Sequence, residues 1–595
     1  MAAAAVLALG ALPAPAAARA QFRAAPEFDL PGHHLLDVGA ADVDGDGRLD
    51  LFTTNHKYSS ALLVNEGGGR FSDGLASLGL SPSRGFPGLE RMKAPDMSQD
   101  GAYLFVRSPS GKGASSYVQI RTVGTAARGR LTFGSSKVQV EREAGADVDE
   151  SRSDAGQPVV SFDARAGAVI DIALRHVDLP IAVNFEEPEP ADVFIGSDAV
   201  AATERSFLLT LRDRHGLAFA DLGGDRGTDL FAASGGLGGG IKLTGYRGQV
   251  QDELLVSRGA AFSDESMGSG LEKGDCRGRE AAAVDVDGDG LLDVFEGCEG
   301  APPLIFRQAS PAHFEPFPAP RSIATTFRWA DIRGDGRPEL LAAERDAVHV
   351  YGFRADGPHP VDRVRADARK GKVTQFALCD YDSDGDLDAL AVSHTGNTLL
   401  ENRRGRLHAV PPRRFGLPSR SVAASFVDYD NDGMVDLDLV PQGLYHRTGP
   451  AAFRPTGALE APGAKAAVTT WFDADGDGLR DAVIATGPSA FSNDKTVRTF
   501  RNGTPSGHWL EVDLRGPAGD AQAIGARVQV RCGSHRQFGF VGQSDDSRYS
   551  QGHYRLYFGL GSCGRVTEAT VRWPDGSRDS YGPLRVDRLI RLAEG

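Results

Sequence analysis

The chain has 595 residues, enough for several domains, with 74 glycines, a modest aromatic content and a formal charge of −15. That charge excludes a nucleic-acid surface, which needs a basic footprint. It suits a cation binder, provided the carboxylates are grouped and not scattered.

Residues 1–20, rich in Ala and Leu and free of acidic groups, end in Ala18-Arg19-Ala20. This reads as a secretory signal with an A-x-A-like cleavage site, and the mature chain is expected to start near Gln21. The alternative is an Ala-rich tail. No later run is long and apolar enough for a membrane-spanning helix. The expected location is therefore outside the cell or in the periplasm. The next segment, "QFRAAPEFDL" (21–30), is strand-like and centred on Phe.

The first acidic motif is "DVDGDGRLD" (42–50), with carboxylates at Asp42, Asp44, Asp46 and Asp50. It recurs as "DLGGDRGTD" (221–229), "DVDGDGLLD" (285–293), "DIRGDGRPE" (331–339), "DYDSDGDLD" (380–388), "DYDNDGMVD" (428–436) and "DADGDGLRD" (473–481). We call these loops 1 to 7. Each lies between two short apolar runs, such as "LLDVGA" before loop 1 and "LFTTN" after it. Most units add a third run ("SALLVN", "NTLLEN"), and several close on a Phe-centred fourth ("AFSDES", "HFEPF", "AFRPTG"). Four strands in units of about 45 residues predict propeller blades, seven of them. The seventh unit lacks its last strand, and 21–30 is expected to supply it, closing the ring and removing open sheet edges.

Ca2+ takes six to eight hard oxygen ligands. Loop positions 1, 3, 5 and 9 offer carboxylates, and position 7 offers a backbone carbonyl. The expected ligands are Asp42, Asp44, Asp46, Arg48 (carbonyl) and Asp50; Asp221, Asp225 and Asp229; and Asp285, Asp287, Asp289, Leu291 (carbonyl) and Asp293. They continue with Asp331, Asp335 and Glu339; Asp380, Asp382, Asp384, Asp386 and Asp388; Asp428, Asp430, Asp432, Met434 (carbonyl) and Asp436; and Asp473, Asp475, Asp477, Leu479 (carbonyl) and Asp481. An EF-hand would place Glu at position 12, yet only Glu296 does so among the seven, and the flanks read as strands. Asp-turns without metal are the competing reading. Gly223 at position 3 weakens loop 2, and Arg333 there is expected to fill loop 4 with an internal ion pair. The expectation is about five good Ca2+ sites, one weak and one empty, with a structural role.

Between loops 1 and 2 lie surplus residues with alternating stretches such as "SYVQIRTV", "PVVSFDA" and "AVIDIALRHV", bounded by "EEPEPAD" (186–192). An inserted β-domain is expected, with an elaborated blade as the alternative. Cys276 and Cys298 bracket loop 3, and Cys532 and Cys563 lie in the last hundred residues, giving two candidate disulfides. Cys379, in an apolar run, is expected to be buried and inert. Residues 507–595 lose the acidic repeat and read as a compact β-domain.

The repeats resemble FG-GAP/VCBS repeats, as in the integrin α-chain propeller. The run "HWLEVDLRG…AIGARVQV…YSQGHYRLYFGLG…VTEATVRWPDGS" resembles the ASPIC/UnbV domain. Together they resemble bacterial relatives of cartilage acidic protein. The resemblance covers residues 21–90 and about 200–595 and implies a seven-bladed, integrin-α-like β-propeller with a small C-terminal β-domain; with the inserted β-domain read from its own residues, the chain is expected to be all-β. The expected divisions are a signal peptide (1–20), the closing strand with blade one (21–90), the insert (91–190), the rest of the propeller (191–506) and the ASPIC/UnbV-like domain (507–595). It implies a Ca2+-stabilised, non-catalytic adhesion or interaction module whose partner is an extracellular or envelope protein or a glycan. A hydrolytic or carbohydrate-active enzyme using the propeller face or the insert is the rival. No G-x-S-x-G elbow, P-loop or H-E-x-x-H supports it. The Gly run 234–240, His33, His34, His508 and His553 read as loop, surface or packing residues, and Tyr549, Ser550, Gln551 and His553 as a turn network in the C-terminal domain. A structural subunit of an envelope complex is the third reading.

Overall fold

The computed structural model describes residues 20–595 except 26–27, 29, 31–34, 56–60, 75–77, 79–88, 94–101, 106–113, 123–126, 134–138, 145–147, 154–155, 165–168, 177–179, 187–190, 198–213, 236–251, 260–261, 266–268, 272–275, 345–346, 367–372, 451, 490–494 and 545–546. The expected leader, His33, His34 and most of the Gly run fall outside the described residues.

The chain is all-β, with one 3-10 turn at Pro412–Phe415 among the described residues. Among the described residues eight sheets have four antiparallel strands each; seven carry the repeat, in six of those the strands follow chain order, and the eighth lies in the C-terminal residues. Sheet one is Leu35–Ala41, Asp50–Asn55, Leu62–Asn65 and Phe71–Asp73. Sheets two to six begin at Arg214–Ala220, Gly278–Val284, Phe327–Ala330, Gln375–Cys379 and Ala423–Val427. In each, the acidic loop is the turn between the first and second strands.

Sheet seven carries Ala466–Phe472, Asp481–Gly487 and Thr496–Asn502, and its fourth strand comes from the other end of the chain. Phe22–Ala24 pairs with it in the register Phe22↔Asn502 and Ala24↔Phe500. Phe22 also lies edge-on to Trp471 at 5.8 Å between ring centroids. The strand is shorter than the ten-residue segment expected, but it takes the expected place.

Both faces of the sheets are apolar, because consecutive sheets pack face to face. Seven buried clusters are each shared by two consecutive sheets. Phe52 of sheet one meets Phe219 of sheet two at 4.9 Å, and Phe295 of sheet three meets Trp329 of sheet four at 5.5 Å. The last cluster joins sheet seven to sheet one through Phe472, Val483, Leu51 and Leu63. Side-chain amides stitch the same junctions. Asn65 Nδ2 donates to Ala474 O of loop 7 at 3.0 Å, Asn402 Nδ2 to Ile332 O of loop 4 at 2.7 Å, and Asn502 Nδ2 to Tyr429 O of loop 6 at 2.8 Å.

Strands between Leu89 and Ser197 form two five-stranded antiparallel sheets, pairing with one another and not with sheets one or two. The C-terminal residues form a separate core around Trp573, Val512, Val528, Phe558 and Val571. There His508–Arg515 runs parallel to Arg588–Ala593, an arrangement absent from the seven repeat sheets. Cys276–Cys298 and Cys532–Cys563 are both disulfides. Cys379 belongs to neither disulfide and is half-buried, less enclosed than its apolar run predicts, because it ends its strand directly before loop 5.

One C-terminal segment leaves its own domain. Residues 547–551 lie against the first strands of several repeat sheets, whose outer edges would otherwise keep unpaired backbone groups. Gln551 N donates to Leu217 O at 2.8 Å, and Phe219 N donates to Gln551 O at 3.0 Å. Ala281 N donates to Tyr549 O at 2.9 Å, and Ala283 N to Gln551 Oε1 at 2.7 Å. Buried Asp37 accepts from Ser547 Oγ at 2.7 Å and from Tyr549 N at 2.9 Å. The cluster Tyr549–Ser550–Gln551 keeps a local turn, with Ser550 N donating to Ser547 Oγ at 3.3 Å, and Tyr549 and Gln551 line a small pocket beside Phe295 and Trp329; it also pairs with first strands of sheets one, two and three.

Candidate metal centres

The seven loops share one hydrogen-bond skeleton. The position-1 carboxylate accepts from the position-6 N–H in six loops: Gly47 to Asp42 at 3.0 Å, Gly290 to Asp285 at 3.0 Å, Gly336 to Asp331 at 2.8 Å, and likewise in loops 5, 6 and 7. The position-5 carboxylate accepts from the position-7 N–H in all seven. The position-9 carboxylate binds the loop to the sheet. In loop 1, Asp50 Oδ2 accepts from Val43 N at 2.9 Å and Oδ1 from Asn65 N of the third strand at 2.8 Å. In loop 5, Asp388 does the same with Tyr381 N and Asn402 N.

Two positions per loop are left-handed. Position 6 is Gly in six loops, with φ from 85° to 97°, and Arg226 in loop 2 at φ 69°. Position 4 is Gly45, Gly224, Gly288, Gly334, Ser383, Asn431 and Gly476, all at positive φ. Gly bears this conformation without steric cost, and Asn is the next most tolerant residue.

This skeleton turns the remaining carboxylate oxygens toward one another. Asp42, Asp44 and Asp50 bring three ligand oxygens within 4.8 Å of one another, as do Asp285, Asp287 and Asp289, and Asp380, Asp382 and Asp388. Asp42 Oδ1 is buried without a hydrogen-bond partner. The donor set is all oxygen and suits a hard divalent cation. The charge is costly without one. Burial first, and the neighbouring carboxylates next, push Asp50 up to about 8, Asp293 up to about 8 and Asp388 up to about 9, against partial relief from the backbone N–H donors. Asp42 is pushed up to about 6 and Asp380 up to about 7.

The loops differ in the cationic groups near them. In loop 4, Arg333 Nε donates to Glu339 Oε1 at 2.5 Å, and its Nη2 lies 3.3 Å from Asp335. That is the internal ion pair expected from Arg at position 3. Loop 7 holds one that the motif does not show: Arg501, from the third strand, donates from Nη1 to Asp481 Oδ2 at 2.6 Å and approaches Asp475 at 3.8 Å. Arg307 comes within 3.7 Å of Asp287 in loop 3, and Arg258 within 3.6 Å of Asp225 in loop 2. Arg48 pairs with Asp46 within loop 1 itself. In loop 6 the third strand brings His446, with Nδ1 3.1 Å from Asp436 Oδ1. All of these third-strand groups lie ten or more residues beyond their motif, and only the strand register brings them to the loop.

The C-terminal domain rests on the same loops. Arg555 Nη2 donates to Gly47 O at 2.6 Å, Arg572 Nη1 to Gly334 O at 2.9 Å, and Gly519 N to Asp221 Oδ2 at 2.7 Å. Asp331 N donates to Gln543 Oε1 at 2.8 Å, and Gly561 N to Asn431 O at 2.8 Å. A Cβ at Gly478 would fall 2.0 Å from Trp509, and one at Gly433 would fall 3.1 Å from Gly559 O. Position-6 glycine therefore serves both the bend and this close approach. A cavity of about 360 Å³ remains between loops 1 and 2 and the C-terminal domain, lined by Asp42, Asp44, Asp225, Arg226, Asp513 and Tyr554 among others.

Two known families match parts of the chain. Residues 516–595 match the family described as ASPIC and UnbV, and residues 331–391 and 380–437 match the FG-GAP-like repeat. The chain carries FG-GAP-like repeats and an ASPIC/UnbV domain. The repeat matches fall on loops 4, 5 and 6, and the domain match on the C-terminal core, as the resemblance of those motifs implied. No curated protein matches. Among solved structures, the chain is similar to the Vibrio cholerae biofilm matrix protein Bap1, at 13% identity over 52% of this chain and 60% of that one, with a TM-score of 0.28. It is also similar to the Photorhabdus luminescens Tc holotoxin pore, at 13% identity over 88% of this chain and 28% of that one, with a TM-score of 0.32. No helix among the described residues is long and apolar enough to cross a membrane.

Proposed function

We propose that the chain is a secreted or periplasmic seven-bladed β-propeller, stabilised by Ca2+ in its acidic loops, that acts as a non-catalytic adhesion or interaction module. The observation that carries the reading is the shared loop skeleton. In loops 1, 3 and 5 three carboxylates converge around a space with all-oxygen donors. The face-to-face clusters that link each sheet to the next, and the seventh to the first, support the ring. The two disulfides suit an oxidising compartment. The partner is an extracellular or envelope protein or a glycan.

Loops 1, 3 and 5 are the strongest Ca2+ sites on this account. Loop 4 is filled by Arg333, and loop 7 is weakened by Arg501. Isothermal titration of the chelator-stripped full chain tests the metal reading. Several Ca2+ equivalents with dissociation constants at or below the roughly 10⁻⁴–10⁻³ M of extracellular modules support it. No saturable heat or calcium uptake overturns it. Pull-down from secreted or envelope extract, with calcium and with chelator, tests the interaction role.

A further inference from the structure

In six sheets a third-strand N–H donates to the position-9 carboxylate, and one residue directly precedes that donor. It is Val64, Val256, Arg307, Glu401 and Arg501 in sheets one, two, three, five and seven. In sheet six it is His446, directly before Arg447, whose N–H donates to Asp436 Oδ1 at 2.7 Å. His446 Nδ1 lies 3.1 Å from Asp436 Oδ1 and 3.9 Å from Asp430 Oδ2, and Nε2 lies 3.9 Å from Asp432 Oδ2. The imidazole, Asp430 and Asp436 are all buried and bring their ligand atoms within 4.8 Å of one another. Asp430 is 4% exposed, and its Oδ1 has no hydrogen-bond partner. A buried carboxylate oxygen without a donor is costly unless something binds it.

We infer that loop 6 is a mixed nitrogen–oxygen site for a borderline first-row transition dication, with Zn2+ as the reference ion, held by His446 Nδ1 and the carboxylates of Asp430 and Asp436. The inference rests on the reading of these loops as cation sites and assigns loop 6 a different ion. An imidazole nitrogen among carboxylates favours zinc, cobalt or nickel over Ca2+, which prefers oxygen donors alone. The ligands are oriented from behind. Tyr429 N and Arg447 N donate to the two oxygens of Asp436, and the Tyr429 ring meets the imidazole edge-on at 5.9 Å. Such outer contacts fix ligand geometry in metal sites. The competing arrangement is an imidazolium that fills loop 6 as Arg333 fills loop 4.

The test uses the full chain, stripped with chelator and then held in excess calcium, and titrated with Co2+ as a spectroscopic stand-in for zinc. The expected result is one Co2+ equivalent with visible d–d absorption that Zn2+ displaces and calcium does not. His446→Gln removes that equivalent and leaves the number of Ca2+ equivalents in the other loops unchanged. Should His446→Gln fail to fold, Asp430→Asn, which keeps the histidine, is expected to lose the same band. X-ray absorption on the zinc-loaded wild type is expected to show one imidazole nitrogen. Absence of Co2+ uptake in excess calcium, or an unchanged band in His446→Gln, overturns the assignment. Retained Co2+ with no calcium binding anywhere overturns the calcium reading and leaves this one standing.

Discussion

The residue-scale requirement of each loop is two left-handed positions, not one. Gly478 illustrates both demands at position 6: its φ is 85°, and a Cβ there would meet the Trp509 ring at 2.0 Å. Gly478→Ala is therefore expected to destabilise the fold by about 2 kcal/mol or more, the left-handed term alone being about 1–2 kcal/mol. Chemical denaturation reads this directly. Arg333→Asp has the opposite sense. It removes the guanidinium that pairs with Glu339 and restores a carboxylate at position 3, so titration is expected to show one additional Ca2+ equivalent. The motif made the four carboxylate positions and the role of Arg333 legible. Arg501 and His446 were not legible, because their approach depends on where the third strand begins, and turn lengths before it vary between units.

At the scale of the loop, the raised carboxylates make stability depend on pH in an unusual direction. Asp50, Asp293 and Asp388 titrate near 4 when unfolded and at about 8, 8 and 9 when folded without a cation. A folded state that holds more protons than the unfolded one loses stability as pH rises between the two values. The metal-free protein is thus expected to melt lower at pH 8 than at pH 5. Calcium is expected to flatten that slope, since a bound cation takes over the role of the protons. A series of melting curves in chelator and in calcium checks both statements. The inserted segment at 547–551 carries another expectation. Gln551 accepts from Ala283 N and donates to Gly542 O at 3.1 Å, all buried, so Gln551→Ala leaves two buried backbone groups unpaired. Its expected cost is about 2–4 kcal/mol, from roughly 1–3 kcal/mol per group, in thermal or denaturant unfolding. Nothing in the sequence "YSQGH" marked it as a pairing segment. Its apolar content is low, and its partners lie about 270 to 510 residues away.

Across the whole molecule, the repeat period and the strand-like flanks forecast four strands per unit, and the sheets have them. The use of the N-terminal segment to complete sheet seven was also legible, because that unit ran out of strands before residue 507. Removing residues 20–25 is expected to bare the edge of Thr496–Asn502 and expose Trp471. The truncated chain is therefore expected to melt lower and to self-associate, as seen by sedimentation. The docking of the C-terminal domain on the acidic loops was not legible. Its contacts include single arginines on backbone carbonyls, Arg555 to Gly47 O and Arg572 to Gly334 O, that carry no motif. Its consequence is that loop geometry and domain docking share the same residues, so an ion bound in the loops is expected to support the interface as well.

On the proposed function, the acidic loops are calcium sites that hold this architecture together. Thermal unfolding of the chelator-stripped full chain, with and without calcium at about a hundred times the measured dissociation constant, tests it most directly. Each occupied site then contributes about 2.7 kcal/mol, so a clear rise in melting temperature is predicted, larger at pH 8 than at pH 5. Identical melting curves with and without calcium would contradict the account.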